Sequence, residues 1–186
     1  AMIYEDQNEV VTKYTFDYFS KNSNKMANFF IEMGLERGDR VAIMLPQSPE
    51  SMITHLAIYK IGAIAVPLSK LFGPSAIEYR VNNCEAKIMV IHGSYIYKIK
   101  EIEEKLKSIK YQIIVDNDKE IKGYDYWEEI NSKSQRFEKE KTWANDPAII
   151  LYTSGTTGSP KGALHAHRHI FGFIPGFQMI HESINR

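Results

Sequence analysis

The sequence has a single cysteine, no net charge and no long hydrophobic run. With only Cys84, the chain cannot form an internal disulfide, a pattern typical of a reducing compartment. Its 23 basic and 23 acidic side chains balance, so composition shows no electrostatic footprint for nucleic acid. No stretch approaches the roughly 20 apolar residues of a membrane-spanning helix, and the acidic N-terminus is unlike a signal peptide. These absences predict a cytoplasmic protein with no membrane span and no nucleic-acid partner.

The apolar residues that are present predict amphipathic helices. Spacings of three and four indicate one helix over 15–34 and a second over 48–62. Thr15 is the expected cap of the first helix. Ser48, which is followed by a proline, is the expected cap of the second, and Met52 is expected on its inward face. With 44% apolar residues, a chain of 186 residues is expected to bury a core in one domain or two small lobes.

Two more helices are predicted further along the chain. One begins at a Gly-Pro-Ser sequence and covers 73–83, and the other follows the isoleucines and leucine of 99–109. The second carries charges at spacings of four, so we expect ion pairs such as Glu101 with Lys105 on its solvent face.

Short apolar strands alternate with these helices at least four times. They are predicted at 40–45, 63–67, 87–91, 112–115 and 148–152. The polar stretch 119–145 is expected to hold one short helix at 126–130 and then a loop or hairpin. This alternation predicts an α/β fold, with a mainly parallel sheet and helices on both faces. In such folds ligands bind at the carboxyl ends of strands.

One loop directly follows the last predicted strand and reads Tyr-Thr-Ser-Gly-Thr-Thr-Gly-Ser-Pro-Lys-Gly from Tyr152 to Gly162. Small residues let the backbone approach a ligand with its N–H groups pointing outward, and the hydroxyls add further donors. Lys161 adds a positive charge, and Pro160 stiffens the turn before it. The loop therefore favours binding of a chain of phosphates over the role of a flexible spacer.

Two common phosphate-binding patterns do not fit this loop. The P-loop pattern G-x-x-x-x-G-K-[ST] fails because Pro160 stands five residues after Gly155 and Gly162 follows Lys161. The dinucleotide pattern G-x-G-x-x-G is absent from the loop. An ordinary P-loop ATPase is therefore disfavoured.

The loop instead resembles the phosphate-binding signature of the AMP-forming adenylating enzymes. These include acyl-CoA synthetases, aryl-CoA ligases, luciferases and peptide-synthetase adenylation domains. The segments 38–43, 59–67 and 146–148 also resemble this family, and the similarity extends roughly from Tyr14 onward. The segment 162–168, with its Gly-Ala-Leu-His-Ala-His-Arg sequence, looks most like acetyl-CoA-synthetase-type members.

The resemblance implies a fold, a reaction and a set of binding residues. The fold would be the N-terminal lobe of the adenylate-forming fold. The reaction would convert a small-molecule carboxylic acid and ATP, with Mg²⁺, to acyl-AMP and pyrophosphate, and CoA would then displace AMP. Lys161 would neutralise the departing pyrophosphate, and Thr157 is a hydroxyl that would lie near magnesium. The residues that would wrap the β- and γ-phosphates are Thr153, Ser154, Gly155, Thr156, Thr157 and Gly158.

Members of this family are usually much longer than this chain. Residues 1–186 are therefore expected to be a partial, truncated N-terminal AMP-binding domain that lacks the C-terminal domain and has no catalytic residue of its own. The adenine shelf, the ribose-binding and magnesium-binding acids and the adenylation lysine have no counterpart in the sequence. We expect the isolated chain to be inactive. The identity of the acid and the oligomeric state stay open.

Several alternatives remain beside this interpretation. The chain could belong to an adenylation domain that feeds a carrier protein, or to a non-catalytic nucleotide-binding module. His165, His167 and His169 would lie on one face of a strand and could hold a metal, although a helix starting near His167 would separate them. Cys84 could be a nucleophile, but no activating base is near in sequence, so a packed cysteine is favoured.

Overall fold

The computed structural model describes residues 1–117, 121–153 and 158–184. Its β-strands are β1 (Met2–Glu5), β2 (Val11–Tyr14), β3 (Arg40–Met44), β4 (Ile64–Pro67), β5 (Ile88–His92), β6 (Tyr111–Val115), β7 (Tyr124–Asp125), β8 (Pro147–Thr153) and β9 (Lys161–Ala166). Its α-helices are α1 (Phe16–Glu32), α2 (Pro49–Ile61), α3 (Pro74–Cys84), α4 (Ile96–Lys100), α5 (Tyr126–Asn131) and α6 (His169–Ile184).

The central sheet confirms the predicted α/β class. Within the described residues it has the strand order β7-β6-β5-β3-β4-β8-β9. All neighbouring strands are parallel except β8 and β9, which form an antiparallel hairpin. The carboxyl ends of the parallel strands therefore meet at one edge of the sheet, where β8 also ends.

Alternate residues of the strands point to opposite faces of the sheet, and each face is covered by helices. On β3, Val41 and Ile43 pack into a cluster with α1, α2 and α5. Ala42 and Met44 pack on the other side with α3 and α4. All four side chains are at most 3% exposed. The helices on both faces predicted from the sequence are confirmed, and β3 is apolar from Val41 to Met44 because both of its faces are buried there.

The predicted ends of the first two helices are confirmed. Thr15 caps α1, with its Oγ1 accepting from the backbone N–H of Tyr18 at 3.1 Å. Ser48 occupies the cap position of α2 in an extended conformation, but its buried hydroxyl makes no capping hydrogen bond. Met52 was expected to point inward and is 43% exposed, because α2 faces the core with the side centred on Ile53 and Ala57.

The predicted helix over 99–109 is wrong. The chain instead forms the short α4 and then a 3₁₀ turn, Glu103–Lys105. The amide of Asn82 on α3 explains this, since it donates to the carbonyl of Lys105 at 2.9 Å and accepts from the N–H of Lys107 at 3.2 Å. These bonds satisfy the backbone without a helix. Lys105 does not pair with Glu101 as expected; its Nζ lies 3.9 Å from Glu78.

Three strand pairings are absent from the predictions, among them the pairing of the two-residue strand β7 with β6. β1 and β2 form a separate antiparallel pair at the N-terminus. After the phosphate-type loop, β9 runs back along β8 for six residues, a strand that was not among those predicted. α6 then begins at His169, two residues after the helix start considered near His167. β9 pairs with β8 at the edge of the sheet, so its main-chain groups are satisfied on that side.

Candidate functional site

The phosphate-type loop connects the two strands of the β8–β9 hairpin. β8 ends at Thr153, β9 begins at Lys161, and these two residues are paired in the antiparallel register. Because β8 is parallel to β4, Thr153 lies at the carboxyl edge of the sheet. The structure therefore brings two of the predicted binding residues together at the edge where α/β folds bind ligands.

Four other predicted binding residues, Ser154, Gly155, Thr156 and Thr157, lie outside the described residues. Gly158 is described and has a φ of +92°, a conformation that side-chain-bearing residues rarely adopt. A Cβ at this position would meet no atom of the described residues within 4 Å, so the requirement for glycine comes from its backbone conformation.

Lys161 presents its charge to solvent at the start of β9. Its side chain is exposed, and none of the ion pairs formed within the described part of the chain includes it. Pro160, directly before it, has its carbonyl bound by the hydroxyl of Tyr79 on α3, at 3.1 Å. The ammonium group is therefore available to an anion, while the backbone beside it is held.

Tyr152, the penultimate residue of β8, is anchored on α3 through its hydroxyl. That oxygen lies 2.7 Å from Asn83 Oδ1 and 3.1 Å from the carbonyl oxygen of Arg80. Burial raises the pKa of Tyr152 well above its usual value, so the phenol is neutral at physiological pH and acts here as a hydrogen-bond donor. Its role in the site is to hold the strand, which leaves the chemistry to other groups.

Cys84 ends α3 close to Tyr152 and is 8% exposed. Burial raises the pKa of its thiol, which disfavours the reactive thiolate. The interpretation of Cys84 as a packed residue is thus supported by its surroundings.

The three histidines after the loop do not converge. His165 on β9 and His169 at the start of α6 approach each other, with their Nδ1 atoms 3.3 Å apart. His167 lies elsewhere, with its ring edge-on to Tyr59 at 5.7 Å between centroids. Over the residues that the structure describes, no group of three His, Cys, Asp or Glu side chains could hold a metal ion. The metal alternative has no support in this geometry.

Sequence reasoning missed a polar depression at the same edge of the sheet. It has a volume of about 360 Å³ and lies where β3 and β4 end. His55 of α2 lines it, and burial lowers the pKa of this imidazole, so His55 is neutral near pH 7. The residues lining it are Ile43, Leu45, Pro46, Gln47, Ser51, His55, Pro67, Leu68, Ser69 and Lys70. The one sequence signal for this depression is the predicted position of the ends of β3 and β4. The polar residues that line it form no motif in the sequence.

Comparison with known proteins agrees with this fold and loop. Residues 1–185 match the AMP-binding enzyme family, and the chain belongs to that family. Over 172 residues it is 37% identical to the acetyl-coenzyme A synthetase of Bacillus subtilis, covering 90% of this chain and 29% of that protein. It is 33% identical to the acetyl-coenzyme A synthetase of Pasteurella multocida, covering 98% of this chain and 31% of that protein. The resemblance to acyl-CoA synthetases of the acetyl-CoA-synthetase type is confirmed.

Solved structures show the same relationship. The anthranilate CoA ligase AuaEII, in complex with anthranoyl-AMP, matches with a TM-score of 0.81 and 27% identity, over 84% of this chain and 30% of that chain. The Brucella canis acyl-CoA synthetase matches with a TM-score of 0.77 and 28% identity, over 92% of this chain and 31% of that chain. The chain thus spans about a third of the length of the relatives it matches.

Of the helices in the described ranges, none has the length and apolar character needed to cross a membrane.

Proposed function

We propose that the complete protein carrying this chain is an AMP-forming acid–CoA ligase. A carboxylate oxygen attacks the α-phosphorus of ATP, the bond to pyrophosphate breaks, and acyl-AMP forms. The thiol of CoA then attacks the acyl carbon and AMP leaves, giving the thioester. One observation carries the proposal. The loop that joins Thr153 to Lys161 begins and ends at the carboxyl edge of the sheet, in a chain that belongs to the AMP-binding enzyme family.

In this proposal the loop binds the β- and γ-phosphates through the backbone and hydroxyl groups of residues 153–158. Lys161, exposed and opposite Thr153, stabilises the charge that grows on pyrophosphate as it leaves. The gain is electrostatic and positional, because phosphoryl transfer requires the reacting oxygens in line and the charge on the phosphates neutralised.

Magnesium fits this arrangement as an ion held mainly by the substrate. Mg²⁺ commonly keeps several waters and binds through phosphates with few protein oxygens. Bound there, the ion would neutralise phosphate charge, and Thr157 is the hydroxyl proposed to lie near it.

The test is ATP–pyrophosphate exchange by the complete protein with Lys161→Ala. Loss of one charged hydrogen bond costs about 1.5–3 kcal/mol, so we expect exchange to slow by about 10- to 150-fold. The melting temperature should stay within error, because surface substitutions usually change stability by less than about 0.5 kcal/mol. Lys13→Ala, which removes an equally exposed lysine from β2, is the matched control and should leave exchange unchanged.

An unchanged exchange rate in Lys161→Ala would contradict the assignment of the lysine. The acid is to be found by the same assay with acetate, propionate, a medium-chain acid and an aryl acid. Thioester formation from CoA, compared with transfer to a carrier protein, then separates an acid–CoA ligase from the alternative adenylation domain. Nucleotide binding without exchange for any acid would favour the non-catalytic module.

A further inference from the structure

One helix holds both ends of the phosphate-type loop. At the end of the loop, the Tyr79 hydroxyl donates to the carbonyl of Pro160 at 3.1 Å. At its start, the hydroxyl of Tyr152 reaches Asn83 Oδ1 and the Arg80 carbonyl at 2.7 and 3.1 Å. We call Tyr79, Arg80 and Asn83, which lie within five residues of α3, the loop brace. The brace lies about 70 to 80 residues away from the loop in sequence.

Arg80 has a feature that folding does not explain. It is 7% exposed, and its guanidinium carbon lies 4.0 Å from the ring centroid of Phe72 and 5.6 Å from that of Tyr152. Nη1 donates to the carbonyl of Ala76 at 2.7 Å, but Nε is buried without a partner. None of the ion pairs between described residues includes Arg80.

Burial of such a charge is costly in free energy. Replacing buried charges by apolar groups of similar volume is often neutral or stabilising. Arg80 therefore contributes less to stability than a hydrophobic residue could. Arg80 lies against Tyr152, which precedes a loop of the anion-binding type. This location suggests a functional role for the buried charge. The guanidinium carbon of Arg80 lies 5.6 Å from the centroid of the Tyr152 ring, within the range of a cation–π contact, and its charge adds positive potential next to the start of the loop.

We propose that the loop brace fixes both ends of the phosphate loop, at Tyr152 and at Pro160, before the nucleotide binds. The Tyr79 hydroxyl fixes the backbone next to Lys161. The main-chain carbonyl of Arg80 and the side chain of Asn83 bind the hydroxyl of Tyr152, and the Arg80 guanidinium contributes its contact with the Tyr152 ring. These are positioning residues, since they act on the substrate through the loop. The proposal rests on the proposed function in one respect, namely that the loop binds the phosphates of ATP.

The first test is Tyr79→Phe in the complete protein, which removes one hydroxyl and keeps the ring. We expect the KM for ATP to rise about 2- to 10-fold, the range that one neutral hydrogen bond supports. The KM for the acid and the melting temperature should stay unchanged, because Tyr79 is 37% exposed. Tyr97→Phe removes the hydroxyl of an exposed tyrosine on α4 and is the matched control.

The second test is Arg80→Met, which keeps much of the volume and removes the charge. We expect a melting temperature that is unchanged or higher, together with a KM for ATP raised at least as much as in Tyr79→Phe. Arg80→Lys should restore part of the affinity for ATP, because it restores the charge without the flat stacking surface. A lower melting temperature with an unchanged KM would assign Arg80 to folding and overturn its part in the brace.

A third measurement does not depend on catalysis. Hydrogen–deuterium exchange at the amides of residues 158, 159, 161 and 162, without nucleotide, should be faster in Tyr79→Phe than in the parent and in Tyr97→Phe. If the parent exchanges pyrophosphate with some acid but the variant changes neither amide exchange nor KM, the brace is refuted and the proposed function stands. If the parent is inactive with every acid, the proposed function fails, and amide exchange alone decides for or against the brace.

Discussion

Gly162 is the second residue of β9, and its lack of a side chain is required by space. It pairs with Tyr152 across the hairpin. A Cβ added there would lie 2.9 Å from Cγ2 of Ile150 and 3.2 Å from Cζ of Tyr152. Its φ lies outside the left-handed region, so alanine is allowed by the backbone. In the folded state, Gly162→Ala therefore tests packing without backbone strain.

The magnitude follows from the size of the overlap. Non-bonded carbons prefer about 3.5–4.0 Å, so the Ile150 methyl must withdraw by roughly 0.5 Å or more. Cγ2 is bonded directly to Cβ and cannot move far unless the side chain or backbone shifts. Overpacking of this kind costs about 1–3 kcal/mol, against a gain of about 0.4–1 kcal/mol from a less flexible unfolded chain. We expect a net loss of about 1.3 kcal/mol, the midpoint of these ranges, which lowers the melting temperature by about 3–5 °C.

Thermal unfolding followed by circular dichroism measures this effect, and a double-mutant cycle assigns its cause. Ile150→Leu removes the Cγ2 methyl, so Gly162→Ala should cost less in that background than in the parent. Gly172→Ala on α6 is the control, because a Cβ there meets no atom within 4 Å. A melting temperature for Gly162→Ala at or above that of the parent, or a strictly additive cycle with Ile150→Leu, would refute the packing argument.

Two further predictions concern charge. Asp39 is 7% exposed, and its Oδ2 accepts from the N–H of Glu36 at 2.9 Å and from Lys87 Nζ at 2.7 Å. Asp39→Asn should therefore cost about 1.5–3 kcal/mol in urea unfolding, while Asp17→Asn, in an exposed pair, should cost less than about 0.5 kcal/mol. Equal losses would contradict this reasoning. Burial lowers the pKa of His55, so the unfolded chain takes up a proton below about pH 6.5 while the folded chain does not. Stability should fall as the pH drops from 7.5 to 5.5, and His55→Gln should reduce that fall; an identical pH dependence would remove His55 as its source.

The elements of the fold were largely predictable because their signals are local. The apolar run of β3 indicates a strand that is buried on both faces. The helical spacing of apolar residues in α1 indicates a helix that is buried on one face. Both patterns can be recognised without knowing the rest of the fold. Thr15 marks the start of α1 through its side-chain hydroxyl, and Gly62 marks the end of α2 through a left-handed backbone conformation. The loop from Thr153 to Lys161 is visible because phosphate binding needs small and hydroxyl residues side by side.

The residues that fail to follow local rules depend on distant partners. The predicted helix over 99–109 gives way because Asn82, on another helix, supplies its backbone bonds. Met52 has the spacing of a core residue, but the packing of α2 against the sheet exposes it. In both cases the local sequence is compatible with more than one structure, and contacts with residues distant in sequence select the one observed.

The site shows the same division. Composition and order along the chain were enough to indicate a phosphate-type loop and its lysine. The return of β9 along β8, which sets Lys161 opposite Thr153, follows from strand pairing. The buried charge of Arg80 behind Tyr152 follows from the packing of α3 on the sheet. Such contacts join residues far apart in the chain, and they exist only once the hydrophobic faces on both sides of the sheet have closed.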